Sequence, residues 1–194
     1  MSQSQLVLAS TSPFRKELLS RLQLDFETAS PDIDESPLEG EPPLQLVYRL
    51  AEQKAKACAS QFPDALLIGS DQIALLGDQI LGKPGNHEKA CQQLKKLSGQ
   101  YVSFLTGLCL YNAKQQRSQI EVIQFNVYFR ILSDEQIENY LRAETPYNCA
   151  GSFKSEAMGV ALFDRLEGDD PTALIGLPLI RLTRMLENEG VCVI

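Results

Sequence analysis

Two long strand candidates in the middle of the chain, Val102–Tyr111 and Ile120–Phe129, are separated only by the polar stretch NAKQQRSQ. This pattern predicts a β-hairpin. On either side the chain alternates short apolar runs with helical periodicity. Ahead of the hairpin, a strand over Gln5–Ala9 leads to a helix from Pro13 to about Leu22, with Ser12 as N-cap and Pro13 at its first position. A strand over Leu24–Ser30 follows, then the acidic, proline-rich loop PDIDESPLEGEPP and an amphipathic helix from Leu44 to about Ser60. The stretch ALLIGSDQIALLGDQILGKPG reads as strand, polar interruption and strand, and Asn86 caps a helix running to about Leu97. Beyond the hairpin, Ser133 and Gln136 form a capping-box pattern. VALFDRLEGDDPTALIGLPL gives a strand or two with turns, and Pro178–Glu187 closes the chain as a helix. The predicted class is α/β, a mixed sheet flanked by helices. At 194 residues the chain is expected to form one domain over 1–194, built as two lobes.

The formal charge of −7 argues against nucleic-acid binding over a broad basic surface, yet leaves room for a small basic pocket that takes an anion. No apolar run approaches the roughly 20 residues that span a bilayer. The first residues carry neither a charged segment nor a long apolar one, so a cytoplasmic protein is expected, without membrane partners. The five cysteines form no CxxC pair and His87 is the single histidine, which speaks for reduced structural thiols over a zinc site.

Two cations fall where helical periodicity asks for apolar side chains. At about 100° per residue, Leu44, Val47, Ala51, Ala55 and Cys58 share one side of their helix, and Lys54 lands within that stripe. Arg49, Glu52, Gln53 and Lys56 occupy the opposite side. A lysine in the stripe snorkels, pairs or reaches a cavity. In the first helix, Arg15 projects between Leu19 and Leu22, toward the core and at the end where the helix dipole disfavours cations. A bound anion resolves both problems, because free amides and a guanidinium suit phosphate; an Arg–carboxylate pair is the alternative. The small residues Ala9, Ser10 and Thr11 let a ligand approach the backbone and favour the phosphate reading, with Ser10, Ser12 and Arg15 as the candidate site.

Asp71 follows the apolar run ALLIG and is expected at the carboxyl end of a central strand, where open α/β sheets place ligands. A carboxylate there can hold a divalent cation or orient a water, or simply make a turn. Lys83 stands on the stiff GKP turn, which alone reads as solvent-exposed, and Glu35 belongs to a charge run that alone reads as solvated. Together these groups offer cations for phosphates and carboxylates for a metal and a water, a set suited to attack on a phosphoanhydride. There is no P-loop and no GxGxxG.

The ordered segments LASTSPFRKELL, DIDE, EQKAKA, IGSDQ, GKP, LSG, CAGSFKSE and IGLPL resemble the Maf-like nucleoside triphosphate pyrophosphatases over nearly the whole length. The resemblance implies the fold of inosine triphosphate pyrophosphatases: an elongated mixed sheet and two lobes around a cleft. It implies hydrolysis of a nucleoside triphosphate to the monophosphate and pyrophosphate with a divalent cation, Mg²⁺ or Mn²⁺. Asp71 matches the family's proton acceptor, Glu35, Lys54 and Lys83 match further catalytic positions, and Glu35 and Asp71 are the candidate metal ligands. A nucleotide is the expected partner, and a homodimer is common among such folds.

Departures from the family pattern bear on the base. Members acting on dTTP and UTP read Ser-Pro-Arg-Arg, Ala-Asp-Thr and a glutamine where this chain has Phe14, Gln72 and Glu156. The combination resembles the branch that hydrolyses 7-methyl-GTP. N7 methylation makes guanine cationic, so an aromatic in place of a cation removes repulsion and offers a cation–π contact of about 0.5–2 kcal/mol. Glu156 can accept from the guanine Watson–Crick edge, and Gln72 can both donate and accept. The alternatives are the same chemistry on dTTP, UTP or another modified nucleotide, and a non-catalytic nucleotide-binding regulator of cell division.

Overall fold

A computed structural model describes residues 5–194. The elements run β1 (Leu6–Ala9), α1 (Pro13–Ser20), β2 (Glu27–Ala29), α2 (Pro43–Ala57), β3 (Leu66–Leu76), β4 (Gln79–Leu81) and α3 (His87–Leu97). There follow β5 (Tyr101–Asn112), β6 (Arg117–Phe129), α4 (Asp134–Glu144), β7 (Phe163–Glu167), α5 (Pro171–Ile175) and α6 (Leu179–Asn188). The sheet is mixed, in the order β2-β1-β3-β5-β6-β7, with β4 paired to β3. β1 is parallel to both β2 and β3, whereas the β3–β4 and β6–β7 pairs are antiparallel. The expected hairpin is β5–β6.

The chain groups into two compact units, one of residues 1–72, 105–123 and 170–194, the other of 73–104 and 124–169. In the first unit, period-two alternation sends Leu6, Leu8, Leu66, Ile68, Leu108 and Leu110 to one face of the sheet, against Leu18 and Leu19 of α1 and Leu182 and Leu186 of α6. Val7, Leu67 and Cys109 point to the other face, against Ala51 and Ala55 of α2. In the second unit, Phe129, Phe153 and Phe163 meet edge to face, with Phe104 on Phe153. The capping box of α4 has both of its hydrogen bonds, Gln136 N–H to Ser133 Oγ and Ser133 N–H to Gln136 Oε1.

Four expectations need correction. The polar residues Ser70, Asp71 and Gln72 do not interrupt a strand; they lie within the continuous β3, because each finds a partner beyond its own strand. Asp71 is therefore inside the strand and not at its end, since pairing of Ala74–Leu76 with β4 prolongs β3 past it. The run PTALI is the short helix α5 and not a strand, started by Asp170, whose carboxylate accepts the Thr172 N–H, and ended by Gly176 at φ 118°. The Leu24–Ser30 strand shrinks to Glu27–Ala29.

Candidate active site

The site grows from a close approach between α2 and the sheet. A Cβ on Gly69 would stand 2.1 Å from the Ala51 carbonyl oxygen, and one on Gly107 would stand 2.2 Å from that of Val47. Two glycines on β3 and β5 thus let the backbone of α2 rest on the strands. Asp71 lies two residues beyond Gly69, so it faces α2 as well. Lys54, beside Ala55, meets it there: Nζ donates to Asp71 Oδ1 at 2.7 Å and lies 2.9 Å from Glu35 Oε2. Lys54 and Asp71 are buried, and Glu35 is mostly exposed. The lysine predicted from helical phase is paired, with two carboxylates on one ammonium.

The other face of the same strand holds α5. Ser70 Oγ donates to the Gly176 carbonyl at 2.9 Å. The Gln72 amide donates to the carbonyls of Ala173 (2.7 Å) and Leu174 (3.2 Å) and to Thr106 Oγ1 (3.0 Å), and Thr106 in turn donates to Ala173. Gln72, singled out as a specificity residue, thus has its donors committed to the end of α5, and its carbonyl oxygen is what remains to meet a ligand.

Arg15 leans toward the same carbonyl as Ser70, its Nε donating to Gly176 O at 2.8 Å. Burial lowers its pKa from the ordinary value, and the charges of Asp71 and Glu35 oppose that shift. Its terminal nitrogens have no partner among the described residues. None of them is a fully enclosed atom left without a partner. The same holds for Asp71 Oδ2, whereas Oδ1 is bonded to Lys54. Ahead of Arg15, the Ser10 hydroxyl accepts the Ser12 N–H at 3.1 Å and the Ser12 hydroxyl accepts the Arg15 N–H at 3.4 Å. Both oxygens act as acceptors, which leaves each O–H able to donate. Phe14, on the first turn of α1, is 39 % exposed.

Eight of the predicted residues, Ser10, Ser12, Phe14, Arg15, Glu35, Lys54, Asp71 and Gln72, belong to the first unit, while Lys83 and Glu156 belong to the second. Both of the latter are exposed, and Glu156 accepts from Ser155 Oγ at 3.3 Å. Lys83 and Glu156 share a neighbourhood with Cys149: burial raises its thiol pKa first, Glu156 adds to the rise and Lys83 opposes it.

Sequence reasoning missed Gly176, whose carbonyl orients both Arg15 and Ser70, and the clamp that Arg49 makes on the acidic loop. Arg49 Nε and Nη2 reach Glu41 Oε1 and Oε2 at 2.6 and 2.7 Å, and Nη2 also reaches the Ser36 carbonyl at 3.1 Å. An arginine on the polar side of α2, with a glutamate at the foot of the preceding loop, was the available signal.

No described helix is long and apolar enough to cross a membrane. The model of the Maf-like protein family matches residues 5–189. A 7-methyl-GTP pyrophosphatase of Nitrosococcus oceani is 59% identical over 95% of this chain and 93% of its own length. One of Vibrio cholerae is 56% identical over the whole of both chains. Among solved structures, the Staphylococcus aureus Ham1 protein matches 96% of this chain and 100% of its own with a TM-score of 0.54 at 14% identity, a likeness of fold. By sequence along nearly its whole length, this chain belongs to the Maf-like protein family.

Proposed function

We propose that this chain hydrolyses 7-methyl-GTP to 7-methyl-GMP and pyrophosphate, the reaction named for its relatives of 54–59% identity, in the cytoplasm. The observation that carries the chemistry is the buried Lys54 ammonium holding Asp71 and Glu35 together beside the start of α1. Water attacks the α-phosphorus, the α–β anhydride bond breaks, and pyrophosphate leaves with the bonding electrons. Asp71 Oδ2 accepts the water proton, while Lys54 on Oδ1 fixes the carboxylate's orientation. Arg15, already turned by Gly176, and the O–H groups of Ser10 and Ser12 bind the phosphates. Lys83 is carried as a further catalytic position on the family resemblance, and Glu156 as an acceptor suited to the guanine edge.

The donor set fits a divalent cation. Two carboxylates converge, and no group of three metal-binding side chains exists among the described residues. That suits Mg²⁺ or Mn²⁺, since Mg²⁺ takes one or two carboxylates and completes its shell with substrate phosphates and water. Glu35 and Asp71 would hold it, and it would neutralise charge on the phosphates.

The test is a panel of 7-methyl-GTP, GTP, dTTP and UTP with Mg²⁺ or Mn²⁺, read by pyrophosphate release. Preferential release from 7-methyl-GTP is expected. Failure to release pyrophosphate from any of them overturns the proposal, and a preference for dTTP or UTP overturns the substrate.

A further inference from the structure

We propose that Arg49 is a positioning residue for Glu35, holding the acidic loop so that this carboxylate stays on Lys54; the inference rests on the function proposed above. Glu35 sits in a loop without regular structure, and its side chain is 57 % exposed. Its pair with Lys54 is a single contact, and a carboxylate this exposed is only partly fixed by it. The loop around it is held elsewhere. Arg49 spreads its fork over three partners: both oxygens of Glu41, the carbonyl of Ser36 and Gln53 Oε1 at 2.9 Å. Ser36 is the residue next to Glu35, so the guanidinium grips the backbone one residue from the carboxylate.

The same Glu41 closes the loop from within. Its Oε2 accepts the Leu38 N–H at 3.0 Å, its own N–H donates to the Leu38 carbonyl at 3.0 Å, and its side chain is only 6 % exposed. Asp34 adds a turn on the other side of Glu35 by accepting the Ser36 N–H at 2.9 Å. Gln53 is the neighbour of Lys54 on α2, so the helix that carries the lysine also carries the clamp. Arg49 touches no reacting atom in this arrangement. It sets the separation between Glu35 and the Lys54–Asp71 pair, and through it the place where the two carboxylates can share a cation.

A planar fork is required for this. A lysine at position 49 could pair with Glu41 but could not span Glu41, Ser36 and Gln53 together.

Five proteins decide the matter: the native chain, Arg49→Ala, Arg49→Lys, Glu35→Gln and the double variant Arg49→Ala with Glu35→Gln, assayed with 7-methyl-GTP and Mg²⁺. Arg49→Ala should lower kcat about 10- to 100-fold, as misplacement of a catalytic group does, with KM little changed. In the Glu35→Gln background the same change should cost nothing further, since the group it positions is gone. Arg49→Lys should recover only part of the loss. Additive losses overturn the proposal. Hydrogen exchange supplies a readout independent of turnover: the Ser36 and Leu38 amides should exchange faster in Arg49→Ala, with α2 protected as in the native chain. Unchanged exchange in the loop, or loss of protection throughout α2, also overturns it. A native chain that hydrolyses nothing would refute the proposed function, and the exchange arm would still decide whether Arg49 orders the loop.

Discussion

Lys54 Nζ and Asp71 Oδ1 lie 2.7 Å apart in the interior of the first unit, and Gly69 is what brings them there. The glycine lets α2 settle on β3, and the strand's alternation turns Asp71 to the same side. A helix kept at ordinary distance by a side chain at position 69 would hold the lysine away from its carboxylate. Fold and chemistry meet at one missing Cβ.

Removing the ammonium should strand the aspartate. Lys54→Met leaves Asp71 buried without its counter-charge, while the exposed Glu35 can turn to water. Breaking one side of a buried pair costs about 3–5 kcal/mol. Urea unfolding should show that loss, and the double variant Lys54→Met with Asp71→Asn should recover most of it because the stranded buried carboxylate is gone. Turnover should not return. Asp71→Asn alone should lower kcat by about 10²–10⁴, the usual contribution of a general base, with the circular dichroism of the native protein.

Gly69→Ala tests the close approach itself. The new methyl would meet backbone, the Ala51 oxygen at 2.1 Å and the Ala55 nitrogen at 2.7 Å, so no side-chain rotation relieves it. The helix must shift, at a cost of about 3 kcal/mol, the upper end of ordinary overpacking. The melting temperature should fall and kcat with it. The same substitution at Gly77, where a Cβ meets nothing within 4 Å but φ is +58°, should cost less and leave kcat alone.

Arg15 and Lys54 were legible because helical phase is local: each stood out against neighbours three and four positions away. The alternation along the strands that contain Leu6–Ala9 and Leu66–Ile68 was legible for the same reason. Ser70 and Gln72 were not. Polar residues in a strand look like a break unless their partners are known, and these partners are carbonyls of α5 and Gly176, about a hundred positions along the chain. Arg49 was read onto the solvent side of α2, and its phase was right. What phase could not supply was the course of an irregular loop that returns Glu41 and Ser36 to it. Two of the residues that matter most for positioning, Gly69 and Gly176, act through an absent side chain and a backbone carbonyl, which leave no mark on hydrophobic periodicity.

Phe14 and Glu156 carry the expected choice of base. If Phe14 faces the base, as the family resemblance implies, Phe14→Arg puts a cation beside a cationic guanine and removes a stacking face. The preference for 7-methyl-GTP over GTP, measured as the ratio of kcat/KM values, should fall by about 2- to 30-fold, the equivalent of a cation–π contact. Glu156→Gln should lower the preference further by removing a negative charge. If the pair of substitutions leaves the ratio where it was, neither residue reads the base.

The loop clamp makes a prediction about acid. Bonding to Arg49 holds the Glu41 carboxyl at about 2 in the folded chain, against an ordinary 4.5. A carboxylate whose folded value is depressed adds stability above its unfolded value and loses that contribution as pH falls through the folded one. The contribution from Glu41 is therefore complete above about pH 4.5 and gone near pH 2. Glu41→Gln removes it, so the melting-temperature gap between the native chain and the variant should be constant above pH 5, narrow as pH falls below 4.5 and close near 2. A gap that stays constant down to pH 2 would mean that the Arg49–Glu41 pair does not stabilise the folded loop.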